Sequence, residues 1–261
     1  MDVFLTNAAF PGSVLDVNAA SVTFVGQARF NGCIAFCNWP RRDVEALLPP
    51  ELELAANTSA VPDVHPVAFI FGEQTEGATI FAGIPFPMGV QYHEFAMAIP
   101  FVKHRCGRYL HIYIPRMYSS YFPAIWHGNT YYGFAKEMAT MWWQGPIFLI
   151  TAKNGALVLH AAVEPTGRWS AGSTCELRNF EATRAIFTLP VVGRKSDGTY
   201  VRSYFGWDFG DALVRAADAC VSIDAPLIDG LDPRRCHDVA SGTFEVRGLL
   251  WKLSWPLECR L

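Results

Sequence analysis

Charge is scarce in this chain. Only 17 % of its 261 residues are Asp, Glu, Lys or Arg, and the net charge is −3. No basic stretch exceeds a few residues, so nucleic acid is not an expected partner. No apolar run reaches the ~18 residues of a membrane-spanning helix, so no membrane partner is expected either. The stretch Met1 to Asp16 lacks a basic n-region and carries Asp2, which argues against a secretory signal. There is no C-x-x-C and no helical H-x-x-x-H pair, so no metal is expected. His93 and His111 could meet across adjacent strands, but such histidines are more often singly bonded surface or core residues. No G-x-G-x-x-G and no P-loop occur, so no nucleotide cofactor, and no cofactor of any other kind, is expected. No G-x-S-x-G elbow is present. The seven cysteines are odd in number and scattered, and read as reduced thiols in a cytoplasmic protein.

Lysine itself is rare. Five lysines stand among 21 basic residues, and four have ordinary surface explanations. The fifth, Lys136, does not. From Tyr118 to Gln144 the only ionisable residues besides tyrosine are His127, Lys136 and Glu137. An ammonium in such company loses hydration, which favours the neutral, nucleophilic amine that condenses with ketones. A lysine beside an apolar face more often snorkels its head to water, so this segment alone does not decide the matter. A second residue raises the same question. Glu94 lies mid-strand on the face carrying Tyr92, Ala96 and Ala98, opposite Phe95, Met97 and Ile99. It either faces solvent from an edge strand or lines a wet cavity that tunes it.

Turn signals and alternating apolar runs dominate the rest. Strands are predicted over 22–37, 65–72, 90–99 and 109–118. Hairpins are predicted around Lys153-Asn154-Gly155 and Ser196-Asp197-Gly198. A short helix should follow Pro40, stopped by Pro49-Pro50. The Gly- and Pro-rich segment 74–89 reads as a loop. Phe134, Met138 and Met141 share helical spacing and suggest a helix over 134–141, with Lys136 off its apolar face. Helix over 210–219 is possible, and 244–259 looks like closing strand. No linker or internal repeat is visible. The expectation is an α+β, mostly antiparallel β protein forming one domain over 1–261.

These pieces, in this order, resemble the acetoacetate decarboxylase family. Phe134-Ala135-Lys136-Glu137-Met138-Ala139 is similar to that family's Schiff-base lysine motif, with Ala135 for its usual proline and Glu137 for its second lysine. Tyr92-His93-Glu94-Phe95-Ala96-Met97-Ala98-Ile99-Pro100 resembles the family's Tyr-x-Glu segment about forty residues upstream. The stretches 43–53 and 189–204 add thinner similarity. The resemblance implies a β-barrel or cone with a few short helices. It implies Lys136 as the imine-forming lysine, Glu94 as the pocket carboxylate and Arg29 as the substrate-holding cation. Tyr92, Phe134 and Tyr132 would line the site, and Tyr121, Phe122 and Trp126 are further candidates for an aromatic wall. A second family glutamate has no counterpart: Ile70 falls at its place, with Glu73 and Glu76 close by. Glu137 is expected to point away from the site, toward solvent or an arginine. The implied activity is decarboxylation of a β-keto acid or related oxo acid through a Lys136 iminium. Aldolase or dehydratase chemistry on the same imine and non-catalytic apolar-ligand binding are the alternatives. A homo-oligomer is expected.

Overall fold

Alternation of side chains, rather than helical periodicity, governs most of this chain, and strands result. The computed structural model describes residues 22–56, 62–177, 180–225, 227–228, 233–237 and 242–259. Within them the order is β1 (Phe24–Pro40), α1 (Arg41–Glu45), β2 (Leu52–Leu54), β3 (Val64–Phe81), β4 (Ile84–Pro87), β5 (Tyr92–His104) and β6 (His111–Ser119). Then come α2 (Phe122–Tyr132), β7 (Lys136–Gln144), β8 (Ile147–Ala152), β9 (Leu157–Pro165), β10 (Ser170–Ala171) and α3 (Phe180–Ile186). The chain ends with β11 (Val191–Arg194), β12 (Tyr200–Ser203), β13 (Phe205–Asp208), β14 (Leu213–Ile223), β15 (Arg234–His237), β16 (Thr243–Ser254) and β17 (Leu257–Glu258). Among the described residues, no helix is long and apolar enough to cross a membrane.

Strand pairing closes a ring. β1 pairs with β3, β3 with β5, β5 with β6, β6 with β7, β7 with β8, β8 with β9, β9 with β14, β14 with β16, and β16 returns to β1. All of these pairs are antiparallel except β6 with β7, which α2 connects as a crossover. A core of Cys33, Phe69, Phe95, Tyr118, Met141, Phe148, Leu159 and Val221 is drawn from around the ring and fills it. A second core lies against the other face of β1, β3, β5 and β6. It contains Phe30, Ile34, Ala96, Met117, Tyr132, Phe134, Phe180 and Leu249, and is flanked by α2, α3 and β11 to β13. The shared strands are therefore buried on both faces. That is why Cys33 to Cys37 and Phe95 to Ile99 read as unbroken apolar runs. The mostly antiparallel β architecture with a few short helices matches the expectation.

Several local expectations fail. Segment 74–89 is not a loop: β3 runs on to Phe81 and returns as β4. Gly72, just ahead of this segment, serves close strand contact. A Cβ at Gly72 would lie 2.3 Å from the Asn31 carbonyl oxygen on β1. Segment 134–141 is not a helix either. Thr140, Trp142 and Trp143 favour a pleated surface, and β8 offers an antiparallel partner along the whole of 139–144. The spacing of Phe134, Met138 and Met141 fits a helix only by omitting Ala139 and Trp143, which share the strand face of Met141. Segment 210–219 falls largely in β14. The hairpin predicted around Ser196-Asp197-Gly198 is present, formed by β11 and β12. Cys37 is disulfide-bonded, where the sequence suggests a free thiol. Strand register, invisible in cysteine spacing, decides which thiols meet.

Candidate active site

Each strand around the site sends neighbouring residues to opposite faces, so the pairing register sorts the candidates. Gly72 is opposite Glu94 and Gln74 is opposite Tyr92. Ala96 is opposite Met117, and Met117 is opposite Lys136. Glu94, Gln74, Tyr92, Met117 and Lys136 thus share one face, the face of the second core. Arg29 pairs with Thr75, and His93 with Glu73, on the other.

Lys136 is the first residue of β7, and its placement is built from α2. Gly133 ends that helix in the left-handed conformation, with φ 64°. The chain then turns back, and Asn129 holds Lys136 by its main chain. The Lys136 amide donates to Asn129 Oδ1 at 2.8 Å, and Asn129 Nδ2 donates to the Lys136 carbonyl at 3.0 Å. The lysine stem lies across Gly128, where an added Cβ would sit 2.9 Å from Cδ and 3.0 Å from Cε. Phe134 contributes its ring, 5.9 Å from Nζ, and stacks on Tyr132. Tyr132 is buried and donates its hydroxyl to the Ser254 carbonyl.

The head of Lys136 meets Glu94. Nζ donates to Oε1 at 2.6 Å, and the two side chains are 8 % and 12 % exposed. Snorkelling is therefore excluded for Lys136, and a solvent-facing edge is excluded for Glu94. The second carboxylate oxygen accepts from Gln74 Nε2 at 3.4 Å, and Gln74 Oε1 accepts from the Trp251 indole N–H at 2.7 Å. Gln74 is itself buried. Tyr92 stacks on Tyr121 next to the pair. Burial, then the Glu94 and Tyr121 groups, hold the Tyr92 phenol well above its usual range, so it stays a neutral hydroxyl. Burial, and secondarily the Lys136 charge, push the His127 imidazole down, so it is uncharged at neutral pH.

The structure brings some of the candidates together and sets others apart. Lys136 and Glu94 meet, with Tyr92, Phe134 and Tyr132 around them. Arg29 is not there. It lies on the opposite face, bridging Glu76 Oε2 at 3.0 Å and the Gly248 carbonyl at 2.9 Å. A one-residue change of strand position is enough to send a side chain through the sheet, which is why Arg29 looked plausible. Glu73 also faces away and accepts from Gln91, while Ile70 shares the pocket face opposite Ala96. Glu137 points away and pairs with Arg116, as expected, although strand alternation does this rather than helical geometry. Phe122 and Trp126 are 65 % and 53 % exposed and do not wall the pair. His111 pairs with Val102, far along β5 from His93, so those histidines are not cross-strand partners. Gln74, Trp251, Gly128 and Asn129 were not singled out from sequence. The signal for Gln74 was the alternation continuing into the segment read as a loop.

Chemically, the site offers an amine shielded from bulk water and a carboxylate 2.6 Å away to take its proton. Aromatic and amide groups surround both. That is the equipment for carbinolamine and imine formation.

No protein-family model matches the sequence, and no curated protein matches it either. Solved structures do. Acetoacetate decarboxylase from Legionella pneumophila is 13 % identical, with a TM-score of 0.60, over 92 % of this chain and 89 % of that one. The enduracididine biosynthesis enzyme MppR, complexed with the condensation product of pyruvate and imidazole 4-carboxaldehyde, is 12 % identical. Its TM-score is 0.56 over 97 % of this chain and 98 % of that one. An acetoacetate decarboxylase-like enzyme from Sphingomonas wittichii is 13 % identical, with a TM-score of 0.56 over 95 % of this chain and all of that one. The closed ring, the second core on its outer face and these near full-length likenesses agree: the chain has the acetoacetate decarboxylase-like fold.

Proposed function

We propose that this protein is a Schiff-base-forming lyase that uses Lys136 on a β-keto acid or related oxo acid. The observation that carries this reading is the buried contact between Lys136 Nζ and Glu94 Oε1 at 2.6 Å, with the lysine stem confined against Gly128. Glu94 takes the ammonium proton. The free amine adds to the substrate ketone, the carbinolamine loses water, and a cationic iminium results. Where a carboxylate lies β to that iminium, its C–C bonding pair moves into the iminium and carbon dioxide leaves. The enamine that remains is protonated at carbon, with Glu94 as the nearest proton carrier, and water releases the ketone and the lysine.

Arg29 takes no part in this scheme. The substrate carboxylate finds its counter-charge in the iminium itself. A second outcome, aldol addition or dehydration through the enamine, starts from the same iminium and likewise needs no arginine. The likeness to MppR with a condensation product bound points the same way.

The test is borohydride reduction in the presence of a panel of oxo acids, followed by mass spectrometry. A stable adduct on Lys136 is expected, and Lys136→Ala should abolish both adduct and turnover while remaining folded. An adduct retained by Lys136→Ala would refute the assignment. Carbon dioxide release measured against condensed product separates the two outcomes.

A further inference from the structure

We propose that Gln74 is a positioning residue that holds Glu94 in its ionised form, and that Trp251 orients it for that task. The inference rests on the reading of Lys136 and Glu94 as the reacting pair. It goes beyond it by assigning a role to two residues on other strands.

The direction of the chain follows from donor chemistry. An indole N–H can only donate. Trp251 Nε1 lies 2.7 Å from Gln74 Oε1, so that oxygen is the carbonyl and the other amide atom is the NH₂ group. The NH₂ group in turn faces Glu94 Oε2 at 3.4 Å. Glu94 Oε1 receives the Lys136 ammonium at 2.6 Å. Both carboxylate oxygens therefore accept, and neither is offered an acceptor to which a carboxylic acid proton could be given. Without Trp251 the amide could rotate and present its oxygen to Glu94, which would favour the protonated acid instead. With Trp251 in place the amide is locked in the sense that favours the anion.

The register explains how three distant residues come together. Gln74 on β3 stands beside Tyr92, diagonal to Glu94 on β5. Ala28 on β1 is opposite Trp251 on β16, and Phe30 on β1 is opposite Gln74. Trp251 thus reaches across β1 to β3 on the face that carries the pair. Phe205 on β13 packs on the indole at 5.7 Å and helps to fix its plane. A buried amide is costly unless both its ends are bonded, and here they are. Leucine would serve the surrounding core as well, so the amide needs a reason to be there.

The experiment follows the rate of Lys136 trapping by borohydride against pH, with one oxo acid that the wild type accepts. The variants are Gln74→Leu and Trp251→Phe. Loss of a donor to the carboxylate makes its protonation easier. The acid limb of the profile should therefore move to higher pH by about half a unit or more in Gln74→Leu. Trp251→Phe should shift it in the same direction by less. A merely structural role would lower stability and leave the limb where it is. An unmoved limb in folded Gln74→Leu, or in folded Trp251→Phe should the leucine variant not fold, overturns the proposal. A second readout needs no turnover. The infrared carboxylate band that disappears in Glu94→Gln is followed with pH in wild type and in both variants. If the wild type traps no oxo acid, the proposed function fails, and this band alone decides on Gln74. A midpoint that moves upward sustains the role, and one that stays refutes it.

Discussion

Gly128 occupies the seventh position of α2, well inside a helix, where glycine ordinarily weakens the element by about 1 kcal/mol relative to alanine. Gly128→Ala therefore sets two effects against each other. The added methyl would stand 2.9 Å from Lys136 Cδ and 3.0 Å from Cε. Carbon atoms rest at about 3.5–4.0 Å, so one partner must give way by roughly 0.5–1 Å. The helix backbone is tied at this point, because the Gly128 carbonyl accepts from the Gly133 and Phe134 amides. The lysine stem is the softer partner and will move. The fold should keep its urea stability or gain up to about 1 kcal/mol. The amine, however, is displaced from Glu94 and from any bound ketone by a sizeable part of an ångström. Misplacement on that scale costs about 10–100-fold in a positioned reaction. The assay pairs urea denaturation with the rate of borohydride trapping at Lys136. A trapping rate within twofold of wild type, in a folded variant, would show that Gly128 does not confine the lysine. A large loss of stability would show that the stem cannot yield, and would refute the reasoning from the other side.

Two further outcomes are expected. His65 is fully buried and donates from Nε2 to the Pro100 carbonyl, and burial lowers its imidazole to about 4 from an ordinary 6.5. The folded state thus resists protonation that the unfolded chain accepts. This contribution is whole above pH 6.5, declines as pH falls toward 4, and amounts to about 3 kcal/mol once lost. The difference in urea midpoint between pH 7.5 and 4.5 should shrink in His65→Gln, and an unchanged difference would refute the claim. Arg29→Ala removes a cation on the far face of the sheet. It should leave the affinity for an oxo acid within about twofold, and a tenfold loss in the trapping half-saturation would place Arg29 in the site after all.

The sequence exposed the site in pieces and the fold in outline. Alternation in 92–99 put Glu94 on the correct face, because a strand buried on both sides still keeps its period of two. Lys136 stood out through the poverty of charge around it, a signal independent of secondary structure. This is why it survived a wrong assignment of the segment as helix. Arg29 did not survive, since a side chain's face depends on bulges that composition does not mark. One such irregularity lies in β3 near Glu76, at φ 52°, and another in β16 near Gly248, at φ 67°. Arg29 bonds to both residues. Trp251 and Gln74 escaped notice for a related reason. They are far apart in the chain, and only strand pairing brings them to one hydrogen bond.

The segment 133–135 between α2 and β7 works like a reading frame. Asn129 anchors whichever residue comes next to β6, and the pleat then decides what looks toward Glu94. Remove one residue from that segment and Glu137 takes the lysine's seat, setting two carboxylates against each other. Remove two and a methionine arrives. Gly133 tolerates no side chain, since a Cβ there would lie 2.6 Å from the Arg194 backbone, and a change of length anywhere in the segment shifts the frame, so the spacing from helix to strand is as much a part of the chemistry as the amine it delivers.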